Sequence, residues 1–264
     1  MPYVTARDGV RIYYEAAGTG RAVLLMTGAF GSLEAWHELG YVDDLARDRR
    51  VILMDLRGHG RSDKPHDAAM YGWPKNATDA LAVLEVEDER GVDVFGQSMG
   101  GQVTIAMLHA DTSRLRSLAC NGAYPMREPL GRPIGQLLKR AKMLREHGMA
   151  YALAPDRGTP RLPGEEASEA YRQRVLAGDV DAYVAEAEGQ APMDDQWLAP
   201  DGPPMLFVAT EHDPVAIATC KDLPSKFPYA RYLEIPGESH FITRKREKFL
   251  PILREFWSSL GDRG

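Results

Sequence analysis

The stretch VDVFGQSMGGQVTIAMLHA, residues 92–110, decides how the rest of the chain is read. Its opening, Val92–Gly96, is short, apolar and β-branched, as expected of a buried strand. Its second half places Val103, Met107 and Leu108 on one face of a helix. Between the two lies Ser98, within Gly96-Gln97-Ser98-Met99-Gly100. A G-x-S-x-G pattern by itself is a weak motif. At a strand-to-helix junction it acquires a physical meaning. The glycines make room for a sharp turn, and that turn lifts the serine hydroxyl above the sheet edge. The same turn sets Ser98 at a helix N-terminus, where free N–H groups favour developing negative charge. The plain alternative is a serine that merely caps the helix.

Outward from this stretch, apolar β-rich runs alternate with helical patterns. The candidate strands are YVTAR and RIYYEA near the start, then residues 22–28, 50–56, 92–97, 115–122, 205–210 and 231–236. From Ala22 onward the runs are apolar throughout, which predicts parallel strands covered on both faces. Asp8-Gly9 predicts a hairpin joining the first two. Helices are expected over 33–47, 75–87, 99–109, 216–227 and 245–260. This alternation predicts an α/β fold with an open, mostly parallel eight-stranded sheet and right-handed crossovers. Residues 125–200 break the rhythm with helical patterns only, bounded by Pro- and Gly-rich segments. They predict a helical insertion after the sixth strand, capping a core made of residues 1–124 and 201–264. Counted from Tyr124, that segment holds ten Lys/Arg against twelve Asp/Glu, a balance of −2, so it carries no mark of a strongly ionic substrate.

Composition narrows the function classes. With 264 residues the chain can bury a full core without disulfides or metal. Its two cysteines, Cys120 and Cys220, show no metal-ligand spacing, so a reduced, cytoplasmic protein without a structural metal is expected. The N-terminal residues lack an unbroken apolar core, so no signal peptide is expected. Nowhere are there roughly 18 consecutive apolar residues. The net charge of −6, with no basic block, disfavours nucleic acid or a membrane surface as partner. The apolar face of FLPILREFW, residues 249–257, is expected to pack on the sheet; a monomer or a homodimer is consistent with it.

A serine hydroxyl needs a base to take its proton and an acid to orient that base. Of seven histidines, His212 directly precedes Asp213 on one loop, while His240 follows a strand in a short loop at the sheet edge that bears Ser98. The segment MLFVATEHDPVA offers Glu211 and Asp213 at the same edge. After the preceding strand only Asn121 is available, which cannot serve as the acid.

The elbow GQSMGG, the loop DLRGHGRSDKP, the segment FVATEHDPV and the terminal PGESHF together resemble the α/β-hydrolase superfamily. The resemblance covers nearly the whole chain outside the helical insertion. It is nearest to the capped esterases, lactonases, cofactor-free haloperoxidases and carbon–carbon bond hydrolases. It implies a Ser98, Asp213 and His240 triad, in the chain order Ser, Asp, His. It also implies an oxyanion hole formed by the N–H groups of Met99 and Ala29, with no cofactor and no metal. Thr27 stands where the family's His-Gly-X loop carries histidine. Serine at the elbow sets aside the haloalkane dehalogenases and epoxide hydrolases, which attack with aspartate. The loop TGAFGS lacks the Gly-Gly-Pro-Gly signature of proline iminopeptidases. The expected activity is hydrolysis of a small, largely apolar ester or lactone through an acyl-enzyme. Hydrolysis of dienone-type substrates, perhydrolysis, or ligand binding without turnover use the same residues. Phe30, Met126, Met143, Met149, Tyr151 and Trp197 are the candidate pocket lining, against the plain alternative that they fill the core of the insertion.

Overall fold

The computed structural model describes residues 2–125, 133–154, 161–191, 193, 197, 198 and 201–261. Its strands are β1 (Tyr3–Thr5), β2 (Arg11–Ala17), β3 (Arg21–Met26), β4 (Arg49–Met54), β5 (Val92–Gln97), β6 (Leu115–Asn121), β7 (Met205–Thr210) and β8 (Ala230–Ile235). They form one sheet in the order β1-β2-β4-β3-β5-β6-β7-β8. β1 and β2 pair antiparallel through a turn in which Gly9 has φ 87°, and β2 pairs antiparallel with β4. From β3 to β8 every pairing is parallel. The expected fold class is therefore the observed one.

The central strands are buried along nearly their full length, and their side chains alternate between two cores. On one face α3 (Trp73–Val86) and α4 (Met99–Ala110) cover Val94 and its neighbours with Val83, Val103 and Met107. On the other, α1 (Glu34–Glu38), α2 (Tyr41–Leu45) and α10 (Arg246–Ser258) bury Trp36, Leu45, Phe249 and Trp257 around Phe95. The apolar face of α10 is thus spent on the sheet.

Two expected helices are divided. The helix expected over 33–47 breaks at Gly40, whose φ of 74° caps α1 and opens α2. The one expected over 216–227 becomes α8 (Pro214–Cys220) and α9 (Leu223–Lys226), with Pro224 at the start of the second. Between β6 and β7 lie α5 (Pro133–His147), a 3₁₀ turn over Gly148–Leu153, α6 (Glu169–Leu176) and α7 (Val180–Gly189). Leu144, Met149, Val175 and Tyr183 of this segment pack into a third apolar cluster, which also takes in Phe30 from the loop after β3.

The order β4-β3-β5 is a switch point, where successive connections leave to opposite sides and a crevice opens beyond the strand ends. Met26 of β3 pairs in register with Gly96 of β5, so the loop after β3 lies beside Ser98.

Candidate active site

Ser98 occupies a turn that few sequences could form. Its φ is 53° and ψ −113°, outside the regions open to most side chains. Such strain persists only where its surroundings impose it. A Cβ at Gly96 would stand 2.1 Å from the carbonyl oxygen of Gly100, and one at Gly100 would stand 2.6 Å from that of Met26. Both glycines are therefore required by backbone contact. The Ser98 N–H donates to Asn121 O at 2.8 Å, and the Gly100 N–H donates to Thr27 O at 3.0 Å. Ser98 makes no side-chain cap bond to α4. The plain N-cap role does not account for this serine.

His240 and Asp213 meet at the same strand edge. The Nδ1 of His240 lies 2.9 Å from Oδ2 of Asp213, with both side chains mostly shielded. The other carboxyl oxygen of Asp213 accepts the Ala216 N–H at 3.2 Å, capping α8. Burial by itself would raise the Asp213 carboxyl; the hydrogen bond and charge of His240, with the Ala216 N–H, outweigh it and hold the group below its ordinary value. Glu211, the other carboxylate offered by this loop, instead accepts the Gly237 N–H at 2.7 Å.

Two neighbours of His240 escaped the sequence reading as site residues. Asn121 donates its side-chain N–H to the His240 carbonyl at 3.0 Å. Gly122, at φ 61°, lies under the imidazole so closely that a Cβ there would be 2.3 Å from Nδ1. The Asn-Gly pair after β6 was the available signal, because that dipeptide favours positive φ.

Ser98, Asp213 and His240 line one cavity of about 950 Å³, together with Ala29, Phe30 and Met99. Among the described residues neither the Ala29 nor the Met99 N–H has an acceptor. Thr27, where the family carries histidine, is buried and fastens the loop through its carbonyl instead of its side chain. Phe30, the residue after Ala29, is held at φ 65°. Of the expected lining residues, Phe30, Met143 and Tyr151 face the cavity. Met149 does not: it is buried in the cluster of the helical segment, beside Val175 and Tyr183. Trp197 does not either, since its ring lies 5.2 Å from that of His109, at the far end of α4 from Ser98. Met126 lies outside the described residues. The wall is not uniformly apolar: Lys139, Arg140, Arg161 and Arg244 also reach it.

Away from this cavity, His66, Asp179 and Asp181 bring their ligand atoms within 4.8 Å of one another. Asp179 is already engaged there, bonding His66 at 3.0 Å and capping α7 through the Ala182 N–H. Among the described residues no helix is long and apolar enough to cross a membrane.

A serine on a strained turn after a central strand of a parallel sheet, lining one cavity with a histidine that bonds an aspartate, is the arrangement of the α/β hydrolases. Comparison bears this out at the level of the family. The chain belongs to the alpha/beta hydrolase family, which it matches over residues 23–251. It is 28% identical over 278 residues to the non-heme chloroperoxidase CPO-A1 of Kitasatospora aureofaciens, covering 97% of this chain and 99% of that protein. In structure it resembles the enol-lactonase of Burkholderia xenovorans LB400, with TM-score 0.78, 22% identity and coverage of 97% and 100% of the two chains. It also resembles a thermophilic esterase of Thermogutta terrifontis, with TM-score 0.80, 22% identity and 98% of each chain covered.

Proposed function

We propose that this protein is a serine hydrolase that cleaves a carboxylic ester or lactone through an acyl-enzyme on Ser98. The observation that carries the reading is the 2.9 Å bond between His240 Nδ1 and Asp213 in the cavity that also holds Ser98. With Nδ1 donating to the carboxylate, Nε2 is left as the proton acceptor. His240 takes the Ser98 proton as the hydroxyl attacks the acyl carbonyl, and Asp213 stabilises the imidazolium that forms. The N–H groups of Ala29 and Met99 receive the oxyanion. His240 then gives its proton to the leaving alcohol, and water resolves the acyl-enzyme by the same two transfers. The helices within 125–200 act as a cap, and Phe30, Met143 and Tyr151 contact the acyl or alcohol group beneath it. Similarity to an esterase, a lactonase and a chloroperoxidase supports acyl chemistry of this kind without naming the substrate.

The test is turnover of p-nitrophenyl acetate, butyrate and octanoate by the wild type and by Ser98→Ala, with fluorophosphonate labelling of both. Turnover and labelling that both vanish in the variant support the reading. A well-folded wild type that neither turns over these esters nor takes the label overturns it.

A further inference from the structure

Most half-buried or buried arginines of this chain meet a carboxylate. Arg49 and Arg116 share Asp93, Arg57 meets Asp79, Arg140 meets Glu186 and Arg174 meets Glu38. On the wall of the cavity half-buried Arg244 departs from this habit, and near it lies the exposed Arg161. Arg161 belongs to the helical segment between β6 and β7, and Arg244 closes the 3₁₀ turn Ile242–Arg244 just beyond His240. Among the described residues neither forms an ion pair. Arg244 donates to the main-chain carbonyl of Glu166 at 3.3 Å and hydrogen-bonds the Tyr171 side chain, whose ring centre lies 4.6 Å from its guanidinium. Arg161 lies 4.6 Å from the centre of the Phe241 ring, and that ring packs edge-on against His240 at 5.5 Å. One aromatic ring therefore separates a guanidinium from the imidazole.

Among the described residues the nearby acids do not pair with either arginine. Glu38, within electrostatic reach of Arg244, is held by Arg174 at 2.6 Å and by Ser168 at 3.2 Å. Glu166 turns its backbone to Arg244, and its residue is exposed. Burial, and then the like charge of Arg161, press the Arg244 group below its ordinary pKa, yet a guanidinium keeps its proton at any physiological pH. Two guanidinium groups thus face the cavity with donors to spare. Planar guanidinium groups hold oxyanions such as carboxylates through paired hydrogen bonds, strongly so when half-shielded from water.

We infer that Arg161 and Arg244 form an oxyanion-binding subsite, so that the natural substrate of the proposed hydrolase carries an anionic group, a carboxylate or phosphate type, besides the bond that is cleaved. This rests on the serine-hydrolase reading, and it departs from the expectation, drawn from the even charge balance of residues 124–200, that an ionic substrate leaves no mark there. Arg244 lies outside those residues, so their charge balance does not count it.

The test compares monomethyl with dimethyl esters of glutaric, adipic and suberic acids, which share a skeleton and differ in one charge, with methyl 4-phosphonobutyrate as the phosphate-type probe. The quantity read is the ratio of kcat/KM, monoester over diester. The expected ratio exceeds ten for at least one chain length, falls towards one in Arg244→Met and Arg161→Met, and is partly retained in Arg244→Lys. A phosphonate preferred over every monoester assigns the subsite to phosphate-type groups. A wild-type ratio at or below one for all probes, or a ratio unchanged in both methionine variants, overturns the inference. If no ester is turned over, the hydrolase reading fails separately. Calorimetric titration of Ser98→Ala with monomethyl adipate and with methyl 4-phosphonobutyrate then decides the subsite: binding that Arg244→Met abolishes supports it, and no binding overturns it.

Discussion

His240 and Asp213 stand 27 residues apart in sequence, yet Nδ1 of one lies 2.9 Å from Oδ2 of the other because β7 and β8 are parallel neighbours. The carboxylate thereby fixes which imidazole nitrogen carries the proton. Asp213→Asn keeps an acceptor for the Ala216 N–H, so α8 remains capped and the fold is retained. Its side-chain amide favours the wrong tautomer, and kcat for a p-nitrophenyl ester is expected to fall about 10⁴-fold. A loss below tenfold, with an unchanged circular dichroism spectrum, would remove Asp213 from the triad.

Gly122 is expected to matter to the rate although it carries no functional group. In Gly122→Ala the new methyl would lie 2.3 Å from Nδ1 of His240, at a φ of 61° that alanine disfavours. The imidazole must shift, and a misplacement of about 1 Å costs on the order of 10²-fold in rate. Steady-state kinetics beside a urea melt separates this from unfolding: kcat should fall far more than the folded fraction at assay temperature.

Ser98 carries strain that glycine would not. At φ 53° and ψ −113°, relief of about 1–3 kcal/mol is offset by about 0.5–1 kcal/mol of extra chain entropy in the unfolded state. Ser98→Gly should therefore be inactive and more stable than the wild type by about 1 kcal/mol. Equilibrium unfolding in urea checks it, and a lower midpoint would mean that the turn is not strained.

His59 provides the pH test. It is fully buried, its Nδ1 bonds Arg57 O at 3.0 Å, and its Nε2 has no partner among the described residues. Burial, partly opposed by the charge of Glu186, lowers its pKa from 6.5 to about 4. Between those values the unfolded chain binds the proton and the folded chain does not. Stability from this group is complete above pH 6.5 and declines as pH falls towards 4, by about 3 kcal/mol in all. In His59→Asn, whose amide can still donate to Arg57 O, that part of the acid slope should disappear. Urea melts at pH 4.5, 5.5 and 7 give the difference directly; parallel curves for the two proteins would refute it.

The strands, and the meeting of Ser98, Asp213 and His240 at one cavity, were legible in the sequence because each rests on local signals: apolar runs with turn residues at their ends, and a serine flanked by glycines. The helix breaks at Gly40 and Pro224 were missed because apolar periodicity continues through both while the backbone does not. The cavity wall was the hardest part to read. Met149 and Trp197 have the composition of a pocket lining, but their neighbours are Val175, Tyr183 and His109, contacts that only the packing of separate helices creates. Arg161 and Arg244 are 83 positions apart and sit in short segments without periodicity, so nothing in the chain order joins them.

Phe30 ties two parts of the molecule together. Its ring belongs to the cluster of α5 to α7, 4.9 Å from that of Tyr183, while its backbone, at φ 65°, directly follows Ala29. In the proposed hydrolase a guest large enough to part those helices would displace this ring, and with it the backbone that carries the Ala29 amide. Parting the cluster and displacing that amide would then be one movement. Bulky esters would on that account be penalised in kcat as well as in KM, because the door and the anvil share a hinge.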